Sequence, residues 1–127
     1  MASSSERLPP DFRVRYRLYS AEEGGRKTPH FQHIRWDFAY EDVEISPPNQ
    51  VFMIWPEFIT PSGEMLPEGE PMPQYGLADM YILNSAFREF HSQHIRVGTK
   101  GYFREGGLII GQCEVVELIA LHQNPKS

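Results

Sequence analysis

Residues 12–19 read Phe-Arg-Val-Arg-Tyr-Arg-Leu-Tyr, a strict alternation of apolar and basic side chains. Successive side chains of a β-strand point to opposite faces of the sheet, so this segment has one apolar and one basic face. We therefore predict a half-buried strand. Its outer face carries an arginine ladder that consists of Arg13, Arg15 and Arg17.

The rest of the chain repeats this strand character in short segments. Its 11 prolines and 10 glycines interrupt it too often for long helices. Pro56 interrupts the apolar run that begins at Val51, and a proline at this place indicates an edge strand or a bulge because it has no N–H to donate. Residues 85–93 form either one short helix or an irregular connection. The five further strands are predicted at residues 31–40, 51–54, 77–83, 95–103 and 108–121.

Six short strands separated by turns predict an all-β fold, a small antiparallel barrel or sandwich. The chain has 127 residues, of which 40% are hydrophobic, enough for one core and too few for two ordinary domains. A Pro-rich, acidic loop at residues 60–76 is long for a compact domain, which indicates a functional or mobile excursion. We expect a disordered arm at residues 1–10, one folded domain at residues 11–122 and a flexible tail at residues 123–127.

Charge is unevenly distributed along the chain, whose formal net charge is −5. Residues 1–35 hold seven basic and four acidic side chains, whereas residues 36–83 hold nine acidic side chains and no lysine or arginine. The negative total argues against a general nucleic-acid binder, because the neutralisation of phosphates requires positive surface.

The sequence also indicates a compartment. The single Cys113 has no intramolecular disulfide partner, and residues 1–10 lack the apolar run of a signal peptide. No apolar stretch is long enough to span a membrane. We therefore expect a cytoplasmic protein that has no membrane partner.

No catalytic or cofactor motif is recognisable. The sequence has no serine in a G-x-S-x-G elbow, and its carboxylates lie in Pro-rich loops rather than in evident pairs. His91 and His94 form an H-x-x-H pair, which on a helix places both rings on one side and could begin a metal site, but no third ligand is evident. We predict no catalytic, metal-binding or cofactor-binding residues, and we expect both histidines at the surface.

Two glycine-rich motifs carry a family resemblance. Residues 22–31 (EEGGRKTPHF), with Arg35 and Phe38 after them, resemble the loop and strand that open the C-terminal third domain of elongation factor Tu. Residues 103–107 (FREGG), with Ile110-Gly111 after them, resemble the hairpin that closes that domain. The motifs stand in the family's order, and the likeness covers about residues 12–119. The resemblance implies a single six-stranded antiparallel β-barrel.

The chain departs from this family in several places. It has no G-x-x-x-x-G-K-[ST] loop, so we expect neither a GTPase domain nor a nucleotide partner. Leu108 and Ile109 stand where the family has an arginine and a threonine, and Arg13 and Arg15 stand where it tends to have acids. The middle of the chain is also longer and richer in proline. The resemblance therefore implies a conserved fold with a changed surface.

The resemblance points to basic residues that hold a tRNA stem in the family: Arg26, Lys27, Arg35 and Arg104. The alternative is that Arg26 and Arg104 stabilise their own Gly-Gly turns. The arginine ladder either binds phosphate or an acidic protein surface, or pairs with the chain's own acidic segment. Among the aromatic residues, we expect Trp36 in the core and Phe58 and Tyr75, which flank the long loop, at an interface.

These observations predict a stand-alone, non-catalytic binding module linked to translation factors. Its acidic loop, residues 57–75, and its basic strand face would contact a protein partner of unknown identity. One alternative is the binding of an RNA stem through the four basic residues that the resemblance indicates. Another is a decoy that mimics elongation factor Tu and competes with it for a partner.

Overall fold

The computed structural model describes residues 8–24, 32, 34–45 and 50–125. It is mainly β: six antiparallel strands form one sheet that curls into a half-barrel, and one short helix accompanies it. Two 3₁₀ turns, Ala21–Glu23 and Ser85–Phe87, lie between strands. The strands are β1 (Phe12–Leu18), β2 (Asp37–Tyr40), β3 (Ile54–Ile59), β4 (Tyr75–Ile82), β5 (Lys100–Glu105) and β6 (Leu108–Leu118), and the helix is α1 (Arg88–His94).

Strand β1 lies in the interior of the sheet, whose strand order is β2-β5-β6-β1-β4-β3. It pairs with β4 on one side and with β6 on the other, so that Phe12 lies between Met80 and Leu118. Its apolar side chains are buried and its arginines point outward, which confirms the strand that the alternation predicts. The alternation is informative because one face of this strand meets the core and the other meets water.

The two edges of the sheet approach each other at one point. Phe38 of β2 forms an isolated bridge with Phe52, in which its backbone donates at 2.9 Å and accepts at 2.8 Å. At the β3 edge, the amide of Gln32 donates to the Phe58 carbonyl and accepts from the Phe58 N–H, both at 2.8 Å. Pro56 lies in this edge strand, as predicted. A proline and a side-chain amide thus occupy positions at which another chain would otherwise pair.

The core is built largely from aromatic rings. The rings of Tyr16 and Trp36 contact Phe58 edge to face, with centroid distances of 5.2 Å and 6.0 Å. Trp36 is 1% exposed, as expected, and so is Phe58. The prediction that Phe58 lies at an interface is wrong, because its position in β3 turns the ring into the half-barrel and away from any partner.

Several strand boundaries differ from the sequence prediction. Strand β2 begins only at Asp37, and β6 ends at Leu118 instead of at residue 121. The segment predicted at residues 95–103 begins as a turn, in which Gly98 has a φ of 99°, and β5 starts only at Lys100. The strand predicted at residues 51–54 lies further along the chain, because β3 begins at Ile54 and continues past Pro56 to Ile59. Pairing with β4 sustains this strand, because hydrogen bonds from the residues beside the proline are unaffected by its missing N–H.

Residues 60–74 connect β3 to β4 and are attached to the body of the protein. Met72 is buried, and the backbone N–H of Leu66 donates to the Phe58 carbonyl at 2.9 Å. Thr60 begins a turn in which its N–H donates to the Glu64 carbonyl at 2.7 Å. These contacts hold both halves of the connection against the core.

A buried polar network joins α1 to both ends of the described chain. Arg88 donates to Asp11 at 2.6 Å, and Asn124 donates to the same carboxylate at 2.8 Å. Asn124 also donates to the Pro9 carbonyl at 3.0 Å. Pro9 and Asn124, expected in a disordered arm and a flexible tail, are therefore part of the folded body, while residues 1–7 of the arm lie outside the described residues. Within the described part of the chain, no helix has the length and apolar character needed to cross a membrane.

Candidate interaction surface

Each side chain of the arginine ladder has a carboxylate partner within this chain. The partners come from β4, from β6 and from the 3₁₀ turn that follows β1, and only Asp79 belongs to the acidic middle of the sequence. The alternative of pairing with the chain's own acidic segment therefore holds for Arg13 alone, because the partners of Arg15 and Arg17 lie outside residues 36–83. The shortest ion pair of each arginine is Arg13–Asp79 at 2.7 Å, Arg15–Glu114 at 3.0 Å and Arg17–Glu23 at 2.9 Å, and Arg13 also lies 3.7 Å from Glu117.

Local structure sets the position of Glu23. Ser20 caps the 3₁₀ turn by accepting from the Glu23 N–H, and the Glu23 carboxylate accepts from the Ser20 N–H at 2.9 Å. This backbone hydrogen bond, with Arg17 as the second cause, lowers the pKa of Glu23. The turn ends at Gly24, whose φ of 98° is of the kind that glycine adopts without strain. The capping box therefore holds a carboxylate in place beside the ladder.

A groove of about 350 Å³ crosses the outer face of the sheet, and we call it the outer groove. Three residues that the sequence predicts to bind a partner, Arg15, Arg17 and Tyr75, line it together. Tyr75 is 65% exposed. The remaining lining side chains are mainly polar or charged and include Lys100, Glu41, Gln112 and Glu114.

Small residues and an aromatic contact shape the outer groove. Gly101 of β5 and Cys113 of β6 are register partners and also line it. A Cβ atom on Gly101 would lie 2.4 Å from the Phe38 ring, so this position requires glycine. Beside the groove, the Arg17 guanidinium lies 5.0 Å from the centre of the Tyr19 ring. Tyrosine and arginine are enriched at the energetic centres of protein interfaces.

Arg35 lies on a different groove, of about 320 Å³, where its guanidinium stands 4.5 Å from the centre of the Trp55 ring. Tyr81 and Leu83 line the same groove. No carboxylate within the described ranges is in ion-pair distance of Arg35. This arginine thus differs from the arginine ladder in having an aromatic partner instead of an acidic one.

Among the other basic residues that the resemblance indicates, Arg104 does not line the groove of Arg35. Arg104 donates to the Gly106 carbonyl at 3.4 Å, which supports the interpretation that it stabilises its own Gly-Gly turn. Burial raises the pKa of Asp37, and the positive charge of Arg104 only partly opposes this shift. Arg26 and Lys27 lie outside the described residues.

The histidine pair differs from the prediction. His91 is 1% exposed, and its Nδ1 shares a hydrogen bond of 2.7 Å with the Tyr40 hydroxyl. Burial lowers the pKa of His91 to about 4. The expectation of two surface histidines is wrong for His91. Phe87 and Phe90, which both precede it in the sequence, are the signal from which its burial could have been predicted. His94 bonds through Nδ1 to the Phe90 carbonyl at 2.8 Å. No cluster of three potential metal ligands occurs among the residues that the structure covers.

A scan against models of known protein families gives no match for this chain, and a search of curated proteins gives none either. The resemblance to the third domain of elongation factor Tu thus depends on the two glycine-rich motifs alone.

Proposed function

We propose that this chain is a non-catalytic protein-binding module whose outer groove contacts a partner. The observation that carries the proposal is the exposed Tyr75 beside Arg15 and Arg17, two arginines already neutralised by carboxylates of the chain. A protein surface carries positive and negative charges together with hydrogen-bond donors and acceptors. It therefore complements a groove in which arginines and carboxylates lie side by side. A nucleic-acid backbone requires uncompensated positive charge, which the ion pairs reduce at Arg15 and Arg17.

The proposal includes kinship with the third domain of elongation factor Tu and a barrel that closes beyond the half-barrel described above. Six antiparallel strands, the edge bridge between Phe38 and Phe52, and the positive φ values of Gly24 and Gly106 support it. Both glycines belong to the motifs that carry the resemblance. We place the module in the cytoplasm, where the single cysteine would stay reduced.

Arg35 is the observation that favours a second function, the binding of an RNA stem. Its guanidinium has no carboxylate partner among the described residues, and the neighbouring Trp55 ring offers a surface for stacking. One such arginine contributes one phosphate contact and therefore a shallow salt dependence. A gel shift with a tRNA stem at two ionic strengths measures this dependence directly.

Affinity capture from a cell lysate, with and without nuclease, tests the proposed function. We expect the full chain to retain a protein after nuclease treatment, and we expect Tyr75→Ala and Arg15→Ala to lose it. Val97→Ala is the matched control, because Val97 is 64% exposed and lines neither groove. Recovery of RNA alone, or capture that both groove variants leave unchanged, would contradict the proposal. Competition by intact elongation factor Tu for the captured protein would identify the module as a mimic of that factor.

A further inference from the structure

A small cavity lies beside α1, apart from the outer groove. It has a volume of about 120 Å³, and its walls include the rings of Phe52, Phe87 and His91. The Phe52 and His91 rings are nearly perpendicular, with centroids 4.7 Å apart. Phe87 contacts Phe52 edge to face at 5.7 Å. We call this space the His91 cavity.

His91 is the buried polar group of this cavity. Its Nδ1 is occupied by the Tyr40 hydroxyl, so Nε2 is the ring nitrogen that remains for a ligand. Within the described part of the chain, no hydrogen bond reaches Nε2. Because burial lowers the pKa of His91 to about 4, the imidazole is neutral at physiological pH. Whether Nε2 donates or accepts then depends on which nitrogen holds the proton.

The size and the rim of the cavity define what fits. An engineered cavity of ~150 Å³ in another protein holds benzene, so the His91 cavity is near the scale of one aromatic ring. Met53 and Phe87, which also line it, are 48% and 39% exposed and form an apolar rim. Gln50 and Asn84 also line the cavity but carry no charge, so a charged group would lose hydration there without gaining an opposite charge.

We propose that the His91 cavity binds a phenol ring. The phenylalanine rings supply edge and face contacts for an aromatic ligand, and a phenolic hydroxyl can either donate to Nε2 or accept from it. The ring can belong to a free phenolic compound or to a tyrosine side chain of a partner protein. This inference is independent of the outer groove and holds or fails separately from the proposed function.

Titration of the full chain with phenol, benzene and N-acetyl-tyrosinamide tests the proposal, with the nitrogen resonances of the His91 imidazole as the readout. We expect saturable shifts with phenol, and binding of benzene about fivefold weaker because it lacks the hydroxyl. Shifts with N-acetyl-tyrosinamide would identify a protein side chain as the source. Their absence, with phenol bound, would identify a free compound. Equal binding of benzene and phenol, or no saturable shift with phenol, would overturn the proposal.

A cavity-filling variant separates binding from folding. Val51 lines the cavity without being the hydrogen-bonding group, so Val51→Phe should abolish phenol binding while His91 stays in place. Val97→Phe adds the same ring at an exposed site that does not line the cavity and should leave binding unchanged. Phenol binding that survives in Val51→Phe would place the phenol elsewhere and overturn the assignment.

Discussion

Two arginine–carboxylate pairs of this chain have similar geometry and opposite surroundings. Arg88 and Asp11 have side chains that are 8% and 1% exposed, and they meet at 2.6 Å. Arg15 and Glu114 have side chains that are 65% and 35% exposed, and they meet at 3.0 Å. Water and salt screen the second pair far more than the first. The buried pair of Arg88 and Asp11 therefore holds the fold together, whereas the exposed pair of Arg15 and Glu114 is accessible to a partner.

The surroundings of Asp11 explain its structural role. Its carboxylate accepts from Arg88, from Asn124 and from the backbone N–H of Ile82, the last at 2.8 Å. Arg88 also donates to the Ile82 carbonyl at 2.7 Å. The start of β1, the end of β4, α1 and the C-terminal segment therefore meet at one carboxylate. Removal of one member leaves the others buried without their partner.

The largest expected effect is on the buried pair. Arg88→Ala should lower the free energy of unfolding by about 3–5 kcal/mol, because the Asp11 carboxylate would remain buried without a countercharge. Chemical denaturation of the full chain measures this loss, with Arg15→Ala as the exposed control. A loss below about 1 kcal/mol for Arg88→Ala would mean that burial does not distinguish the two pairs.

The next effect concerns the buried His91. The pKa of His91 is about 4 in the folded chain, and its ordinary value is 6.5. Between these two pH values, the unfolded chain binds a proton that the folded chain does not bind. Stability should therefore fall as the pH decreases from 6.5 to about 4 and then level off, with a total loss of roughly 3 kcal/mol.

Unfolding curves at several pH values check this expectation. His91→Phe should remove the part of the pH dependence that comes from His91, whereas His94→Gln should retain it. The difference between the two variants therefore separates the titration of His91 from the titration of carboxylates. An identical pH dependence in His91→Phe and the unmodified chain would contradict the assignment.

The smallest expected effect is on the exposed pair. Arg15→Ala should change the free energy of unfolding by less than about 1 kcal/mol, because an exposed ion pair gains little over hydration. Added salt should reduce even this difference. Denaturation at low and high ionic strength tests it, and a large salt-independent loss would assign Arg15 a structural role like that of Arg88.

The sequence predicts the fold better than the sites, and particular residues show why. The alternation of β1 predicts a half-buried strand, and the position of Pro56 predicts an edge strand or a bulge, because both depend on local spacing. Asp11 and Arg88 are 77 residues apart in sequence, and no local pattern connects them. Phe58 and His91 face inward only because β3 and α1 turn them toward the core. Contacts between distant segments decide these positions, and a single sequence does not display them.

We propose that Arg15 and Tyr75 serve recognition and not stability, and this role can be measured. Its most direct test is calorimetric titration of the captured protein with the unmodified chain and with the double variant Arg15→Ala/Tyr75→Ala, alongside thermal melting of both. We predict binding weakened by at least about 30-fold, as for interface residues that contribute 2 kcal/mol or more, with an unchanged melting temperature. Unchanged affinity in a folded double variant would contradict the claim.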